Sequence, residues 1–287
     1  MKLSLTKSLL LITALGACNE SPETSAHAPA DLKWRQLTPL PDKFGFAGAF
    51  AGVSGRALLV AGGANFPDGG APWTGSAKVW RNEIYVLEEK ADAWKKAGAL
   101  PRNRGYGVSL TWKNTLICVG GSNEDGHLKD VLILSYNKGN VQMDTLPSLP
   151  TVLANACGAV LNDIIYIAGG LSKPDSPEAE KIFWSLDLQA KNPNWKQLES
   201  WPGPPRMLSV AGAQGSAFYL FSGVEQINSQ RNYLKDAYKY EPEKGWVRIA
   251  DLPSPVAAAP GPAYPNGDAE LWIFGGDDGQ LAAKAAS

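Results

Sequence analysis

Three arginines, Arg102, Arg104 and Arg206, stand in the short connections that lead from one apolar repeat into the next. The planar guanidinium fork suits a carboxylate better than the point charge of lysine does, so a converging set of forks would recognise a small acid. The segments after the repeats' closing glycines add Asn65, Trp73, Lys78, Asn123, Glu225, Gln226 and Arg231. Amides, charges and an indole of this kind can bind hydroxyls and stack on an apolar ring face. Plainer readings stand beside this one. Each arginine can be a solvated charge, Asn65 can shape its own loop before Phe66-Pro67, and Trp73 can pack beneath the long loop that carries it.

These residues are positioned by a repeat. Ile164-Ile165-Tyr166-Ile167-Ala168-Gly169-Gly170 comes back as Ala57 to Gly63, Thr115 to Gly121, Ala217 to Gly223 and Glu270 to Gly276. The closing glycines fall at 63, 121, 170, 223 and 276, giving periods of 58, 49, 53 and 53. A period near 50 with a glycine pair predicts a propeller, in which each repeat is a sheet that covers its faces only by stacking on its neighbours. Within a repeat the order is a small-residue strand, the glycine-paired strand, a third strand, and a short strand carrying Trp94, Met143, Trp195 or Trp246. Leu100-Pro101, Leu149-Pro150, Trp201-Pro202 and Leu252-Pro253 then carry the chain onward, because proline cannot continue a ladder. Buried tryptophan at this place reads as packing between blades. The innermost strand of a blade begins where the glycine-paired strand ends, so linkers and post-glycine loops share one rim.

The N-terminus reads differently. Lys2 and Lys7, the run Leu9-Leu10-Leu11-Ile12 and then Leu15-Gly16-Ala17-Cys18 predict an export signal over residues 1–17, with Cys18 as the lipidated residue of a lipoprotein; an ordinary cleaved signal is the alternative. Residues 18–31 are polar and predict a disordered tether. Asn19 after the cysteine favours an outer-membrane lipoprotein facing the periplasm, or a periplasmic protein, with a lipid anchor as the membrane contact. The propeller is expected over 32–276 and an irregular tail over 277–287. Lys and Arg number 27 against 28 Asp and Glu, without a basic cluster, which argues against nucleic acid as a partner. Cys118 and Cys157 lie in apolar strands, either as buried small hydrophobes or as a disulfide between neighbouring blades. His127 is the body's single histidine, which leaves a copper radical oxidase without its second histidine ligand.

The repeat resembles kelch propellers from Trp34 onward. Gly45-Phe46-Ala47-Gly48-Ala49-Phe50-Ala51-Gly52, Gly62-Gly63-Ala64-Asn65-Phe66-Pro67, Lys78-Val79-Trp80 and Arg102-Asn103-Arg104-Gly105-Tyr106-Gly107-Val108-Ser109 are similar to the cyclically permuted members of the N-acetylneuraminate epimerase (sialic acid mutarotase) family. The resemblance implies an all-β, six-bladed propeller that interconverts the anomers of free N-acetylneuraminic acid, a small sugar acid, without metal or cofactor. Against that pattern the chain reads as four complete four-stranded blades and a partial fifth. The family's Gly-Glu step, which supplies its proposed proton acceptor, has no counterpart here, so no catalytic residue is carried over. Binding without fast catalysis is therefore expected, at Arg102, Arg104, Arg206, Asn65, Trp73, Lys78 and Glu225. Trp34-Arg35-Gln36-Leu37 reads as a fourth strand without a blade of its own, beside an open arc or closing a smaller ring. The non-enzymatic alternative is a lipid-anchored module that binds a carbohydrate or a protein partner.

Overall fold

The alternation read from each repeat folds as an antiparallel meander. The computed structural model describes residues 33–71 and 74–280. Cys18, the export signal, the tether and Trp73 lie outside the described residues. All of the sheets fall within one unit, Thr38–Ser287. The first blade is Phe50–Ser54, Ala57–Ala61, Glu83–Glu88 and Lys95–Ala99; the second is Val108–Trp112, Thr115–Val119, Val131–Asn137 and Asn140–Leu146. The third is Cys157–Leu161, Ile164–Ala168, Phe183–Asp187 and Lys196–Gln197; the fourth is Val210–Gln214, Ala217–Ile227, Gln230–Glu241 and Gly245–Ile249. The fifth sheet has two strands, Tyr264–Asn266 and Glu270–Trp272. Among the described residues, 33–37 form no strand.

The glycine pairs are the joints between blades. Gly62, Gly120 and Gly169 have φ of 66, 59 and 63°, and a Cβ there would lie 2.3, 2.5 and 2.3 Å from the carbonyl oxygens of Arg104, Leu153 and Arg206 in the following linkers. Only glycine allows both the left-handed backbone and that approach. The second glycines complete the joint: the N–H groups of Gly63, Gly121 and Gly170 donate to the same three carbonyls at 2.8, 2.8 and 2.9 Å. In the fourth repeat Ser222 holds the first place at φ 54°, and its hydroxyl does the joining, accepting from the Val256 N–H at 2.8 Å and donating to the Leu234 carbonyl at 2.7 Å.

A second series runs along the inner end of the blades. Gly48, Tyr106, Asn155, Leu208 and Ala258 occupy the same place in five linkers, with φ of 62, 58, 55, 56 and 56°. Each N–H donates to the carbonyl of its predecessor: Tyr106 to Gly48 at 2.7 Å, Asn155 to Tyr106 at 2.9 Å, Leu208 to Asn155 at 2.8 Å and Ala258 to Leu208 at 2.8 Å. Among the described residues no backbone bond returns from the fifth sheet to the first, so this series is an arc of five.

The blade tryptophans lock the outer strands. Trp94, Trp195 and Trp246 donate their indole N–H to the carbonyls of Thr38, Pro147 and Glu199 at 2.9, 2.8 and 2.8 Å. Each acceptor lies two residues before the Leu-Pro or Trp-Pro step of the preceding connection. Apolar clusters fill the gaps between sheets: Phe50, Leu59, Leu116 and Leu134 between the first and second, Ile165, Ile167, Leu110 and Leu186 between the second and third, and Phe183, Tyr166, Phe218 and Trp201 between the third and fourth. Cys118 and Cys157 sit in different clusters as buried free thiols, which selects the small-hydrophobe reading over the disulfide.

Candidate functional site

Five isolated bridges assemble the rim. Ala47, Gly105, Ala154, Met207 and Ala257 in the linkers pair with Ala64, Ser122, Leu171, Val224 and Asp277, the residues that follow the closing glycines of the five repeats. Linkers and post-glycine loops therefore lie side by side, and the repeat runs one residue past 276. Directly after the bridged residues come Asn65, Asn123, Ser172 and Glu225, which occupy equivalent rim places.

The residue before each bridge occupies a different environment. In the four complete repeats this slot holds Phe46, Arg104, Leu153 and Arg206, and it faces the third strand of its own blade. Phe46 stacks on Tyr85 there, with ring centroids 5.9 Å apart, and Leu153 packs in the cluster of Trp184. Arg206 fills it as a buried ion pair. Its Nη1 and Nη2 donate to Asp236 Oδ1 and Oδ2, both at 2.8 Å, Nη1 also reaches the Ser222 carbonyl at 2.9 Å, and Nε reaches the Pro204 carbonyl at 3.3 Å. Trp201 and Tyr238 flank the guanidinium at 5.5 and 5.3 Å. Tyr238 donates its hydroxyl to Asp236 at 2.6 Å. Burial works against the Asp236 carboxylate, but the hydrogen bonds from Arg206 and Tyr238 outweigh it and hold the pKa below its usual value; burial and the same carboxylate push the Tyr238 phenol up to about 12.

Arg104 is the second-blade counterpart, 1% exposed, with Nη2 donating to Asp130 Oδ2 at 2.8 Å. Burial pulls its pKa below the usual arginine value, with Asp130 opposing. Arg104 and Arg206 therefore brace blades from within, where the sequence expectation set them on the rim facing a ligand. The physical reason is place in the repeat: the residue two places before the left-handed position points into the blade body, whichever type it is. Asp130, immediately before the third strand of the second blade, and Asp236, in the middle of that of the fourth, were the sequence signal for buried partners.

The remaining expected residues divide between surface and interior, with Asn65, Asn123 and Gln226 buried. Arg102 is 55% exposed, with Nη2 3.6 Å from Asp130. Asn65 is buried and ties its own neighbourhood together: Nδ2 donates to Asp42 Oδ1 at 3.1 Å and to the Gly45 carbonyl at 3.0 Å, while Oδ1 accepts from Arg81 Nε and Nη2 at 3.2 and 2.9 Å. Glu225 accepts from Asn232 Nδ2 at 3.1 Å, Gln226 accepts from Arg231 Nε at 3.2 Å, and the Asn123 side chain caps the Asp125 N–H at 3.0 Å. His127 contacts Ser122 Oγ at 3.0 Å through Nδ1, and burial lowers its pKa below the usual imidazole value.

The structure brings together one group that the linkers and loops did not announce as a unit. Lys78 Nζ lies 4.7 Å from the Tyr106 ring, 5.2 Å from the Trp80 ring and 3.3 Å from the Tyr106 hydroxyl. Trp80 and Tyr106 meet edge to face, 5.6 Å between centroids at 82°. Trp80 arrives on the two-residue ribbon Val79–Trp80 paired with Ala64–Asn65, and Tyr106 on the inner arc. This junction of the first and second blades carries a cation, two aromatic surfaces and, on the next residue, the Arg81–Asn65–Asp42 chain.

Comparison with known proteins agrees with this architecture. The family description for N-acetylneuraminate epimerase matches residues 18–143 and 146–285. N-acetylneuraminate epimerase 1 of Escherichia coli O6:H1 is 36% identical over 121 residues, 39% of this chain and 32% of that one. The N-acetylneuraminate epimerase of Haemophilus influenzae strain PittEE is 35% identical over 120 residues, covering 37% and 32%, and that of Brucella suis is 38% identical over 119 residues, covering 36% and 30%. The chain thus matches about a third of the length of these curated relatives. The solved structure of YjhT superposes with a TM-score of 0.74 at 16% identity, over 88% of this chain and 82% of that one, a likeness of fold. With four stacked four-stranded sheets, glycine-pair joints and a family match along nearly its whole length, the chain belongs to the N-acetylneuraminate epimerase family.

Proposed function

We propose that the protein binds N-acetylneuraminate at the rim formed by the linkers and post-glycine loops, and interconverts its anomers. The observation that carries the reading is the family match over residues 18–143 and 146–285. The chemistry is proton transfer alone. A base takes the anomeric hydroxyl proton, an acid protonates the ring oxygen, the bond between the anomeric carbon and the ring oxygen opens, and closure on the other face gives the second anomer. Each positioned acid or base contributes typically about 10²–10⁴-fold. The test starts from the pure anomer and follows re-equilibration by NMR; a rate well above buffer supports the enzymatic reading, and a rate equal to buffer with the protein folded overturns it.

Binding without catalysis is the second reading, favoured by the internal pairing of Arg104 and Arg206, which removes two cations from the rim. It is separated from the first by the same experiment, since ligand broadening would persist while the anomers relax at the buffer rate.

We further propose export and lipid anchoring at Cys18. The motive is Leu15-Gly16-Ala17-Cys18 behind a short basic and apolar start. Stable anchoring needs more than one acyl chain, so Cys18→Ser is expected to release the protein from membranes. Equal partitioning of the two forms overturns the anchor.

A further inference from the structure

We infer that Lys78, Trp80 and Tyr106 form the subsite that takes the carboxylate and one apolar face of the sugar acid, a reading that rests on the proposed function and assigns it a place. Lysine carries three donors, and the Tyr106 hydroxyl at 3.3 Å engages one. The ammonium is exposed and leans on the faces of both rings, at 4.7 and 5.2 Å, so its position is held before any ligand arrives. A cation fixed in this way loses little freedom on binding an anion. The carbon-bound hydrogens of a pyranose ring offer an apolar face, and the two aromatic rings offer the matching surface beside the charge.

Tyr106 is held there against a backbone preference. A bulky residue at φ 58° is uncommon, and the equivalent places on the arc hold Gly48, Asn155, Leu208 and Ala258, none of them aromatic. Its ring fits over Gly48, where a Cβ would come 2.6 Å from the ring's Cδ1. The junction of the first and second blades therefore differs from the other junctions in carrying an aromatic ring, which packs over Gly48 and against Trp80. The other cations near it each have a partner: Arg104 Nη2 bonds to Asp130, although its buried Nε and Nη1 have none among the described residues, Arg81 bonds to Asn65, and Arg102 lies within 3.6 Å of Asp130.

The test compares N-acetylneuraminate with its methyl ester, in which the carboxylate charge is gone, by ligand-observed NMR titration of the full chain. The wild type is expected to bind the acid about tenfold or more tightly than the ester, as a charge-assisted contact implies. Lys78→Gln keeps a polar side chain on an exposed residue and is expected to remove most of that preference, weakening acid binding far more than ester binding. Trp80→Leu is expected to weaken acid and ester by the same factor. A Lys78→Gln protein that retains the full preference overturns the subsite and leaves the sugar-acid reading standing. Failure of the folded wild type to bind either compound overturns both.

Discussion

Arg206 and Asp236 meet in two parallel hydrogen bonds of 2.8 Å inside the fourth blade, and the arginine of that pair is 0% exposed. Removing one partner of a buried pair strands the other charge, at a cost of about 3–5 kcal/mol. Arg206→Ala is expected to lower the urea midpoint accordingly, and Arg206→Met together with Asp236→Asn to recover much of the loss, because no charge is then left alone. Recovery to no degree at all would place the loss in packing against Trp201 and Tyr238.

The same pair sets an acid limb. Asp236 is held below its usual pKa in the folded protein, so the unfolded chain binds the extra proton first as pH falls. Its contribution is complete above the unfolded carboxylate value, about 4, and is lost as pH drops through the lower folded value. Urea midpoints measured downward from pH 5 are expected to fall less steeply in the paired Arg206→Met, Asp236→Asn protein than in the wild type. Parallel curves would remove Asp236 from the acid response.

Much of this was legible in the sequence because a propeller repeats its joints. The glycine pairs at 63, 121, 170 and 276 announced the period, and at the first three the structure supplies their cause, a carbonyl from the next linker where a side chain would stand. The tryptophans at the fourth strands read correctly as blade packing, although their indole bonds to Thr38, Pro147 and Glu199 depend on a three-dimensional register that no spacing shows. The site was harder to read. Arg102 and Arg104 are two residues apart in one linker, yet one faces solvent and the other fills the slot that Phe46 and Leu153 fill elsewhere. Charge type suggested a ligand, whereas position in the repeat decided the environment. Aligning the linkers on Gly48, Tyr106, Asn155, Leu208 and Ala258 would have separated the two, and would have marked Tyr106 as the unusual member.

The joints predict a contrast between two glycines. Gly169 and Gly245 both have left-handed backbones, at φ 63 and 77°, so alanine at either carries the backbone penalty of about 1 kcal/mol. Only at Gly169 would the new Cβ also meet a carbonyl, that of Arg206 at 2.3 Å, while nothing lies within 4 Å at Gly245. Gly169→Ala is expected to destabilise by about 1–3 kcal/mol more than Gly245→Ala. Equal losses in thermal or urea unfolding would show that the third and fourth blades are not joined through this contact.

Cys118 and Cys157 are buried, and burial pushes both thiols up to about 12. The thiolate is the reactive form, so at pH 8 both are expected to resist a disulfide reagent in the folded protein and to react at once in denaturant. Fast modification of either in the native state, located by mass spectrometry of the peptides, would contradict the packing of its cluster.

The last prediction concerns the fifth sheet. Its strands are three residues each, Pro265 contributes no amide donor, and the residues of Glu270–Trp272 are half-buried. The Gln214 side chain ties it to the fourth blade through the carbonyls of Gly267 and Glu270 at 3.1 and 2.8 Å. In the third blade, by contrast, Ile164–Ala168 bonds to a strand on each side over five residues, with Ile165 and Ile167 fully buried. Repeat stability comes from neighbours, so the fifth sheet opens at a lower free energy than the third blade. Hydrogen exchange at Leu271 and Trp272 is expected to be at least about tenfold faster than at Ile165 and Ile167, which corresponds to roughly 1.4 kcal/mol in opening free energy. Gln214→Ala should widen the difference by loosening the fifth sheet alone. Equal protection of the two regions would mean that the fifth sheet is secured on its far side as firmly as an interior blade, and would overturn the arc of five as the unit that sets its stability.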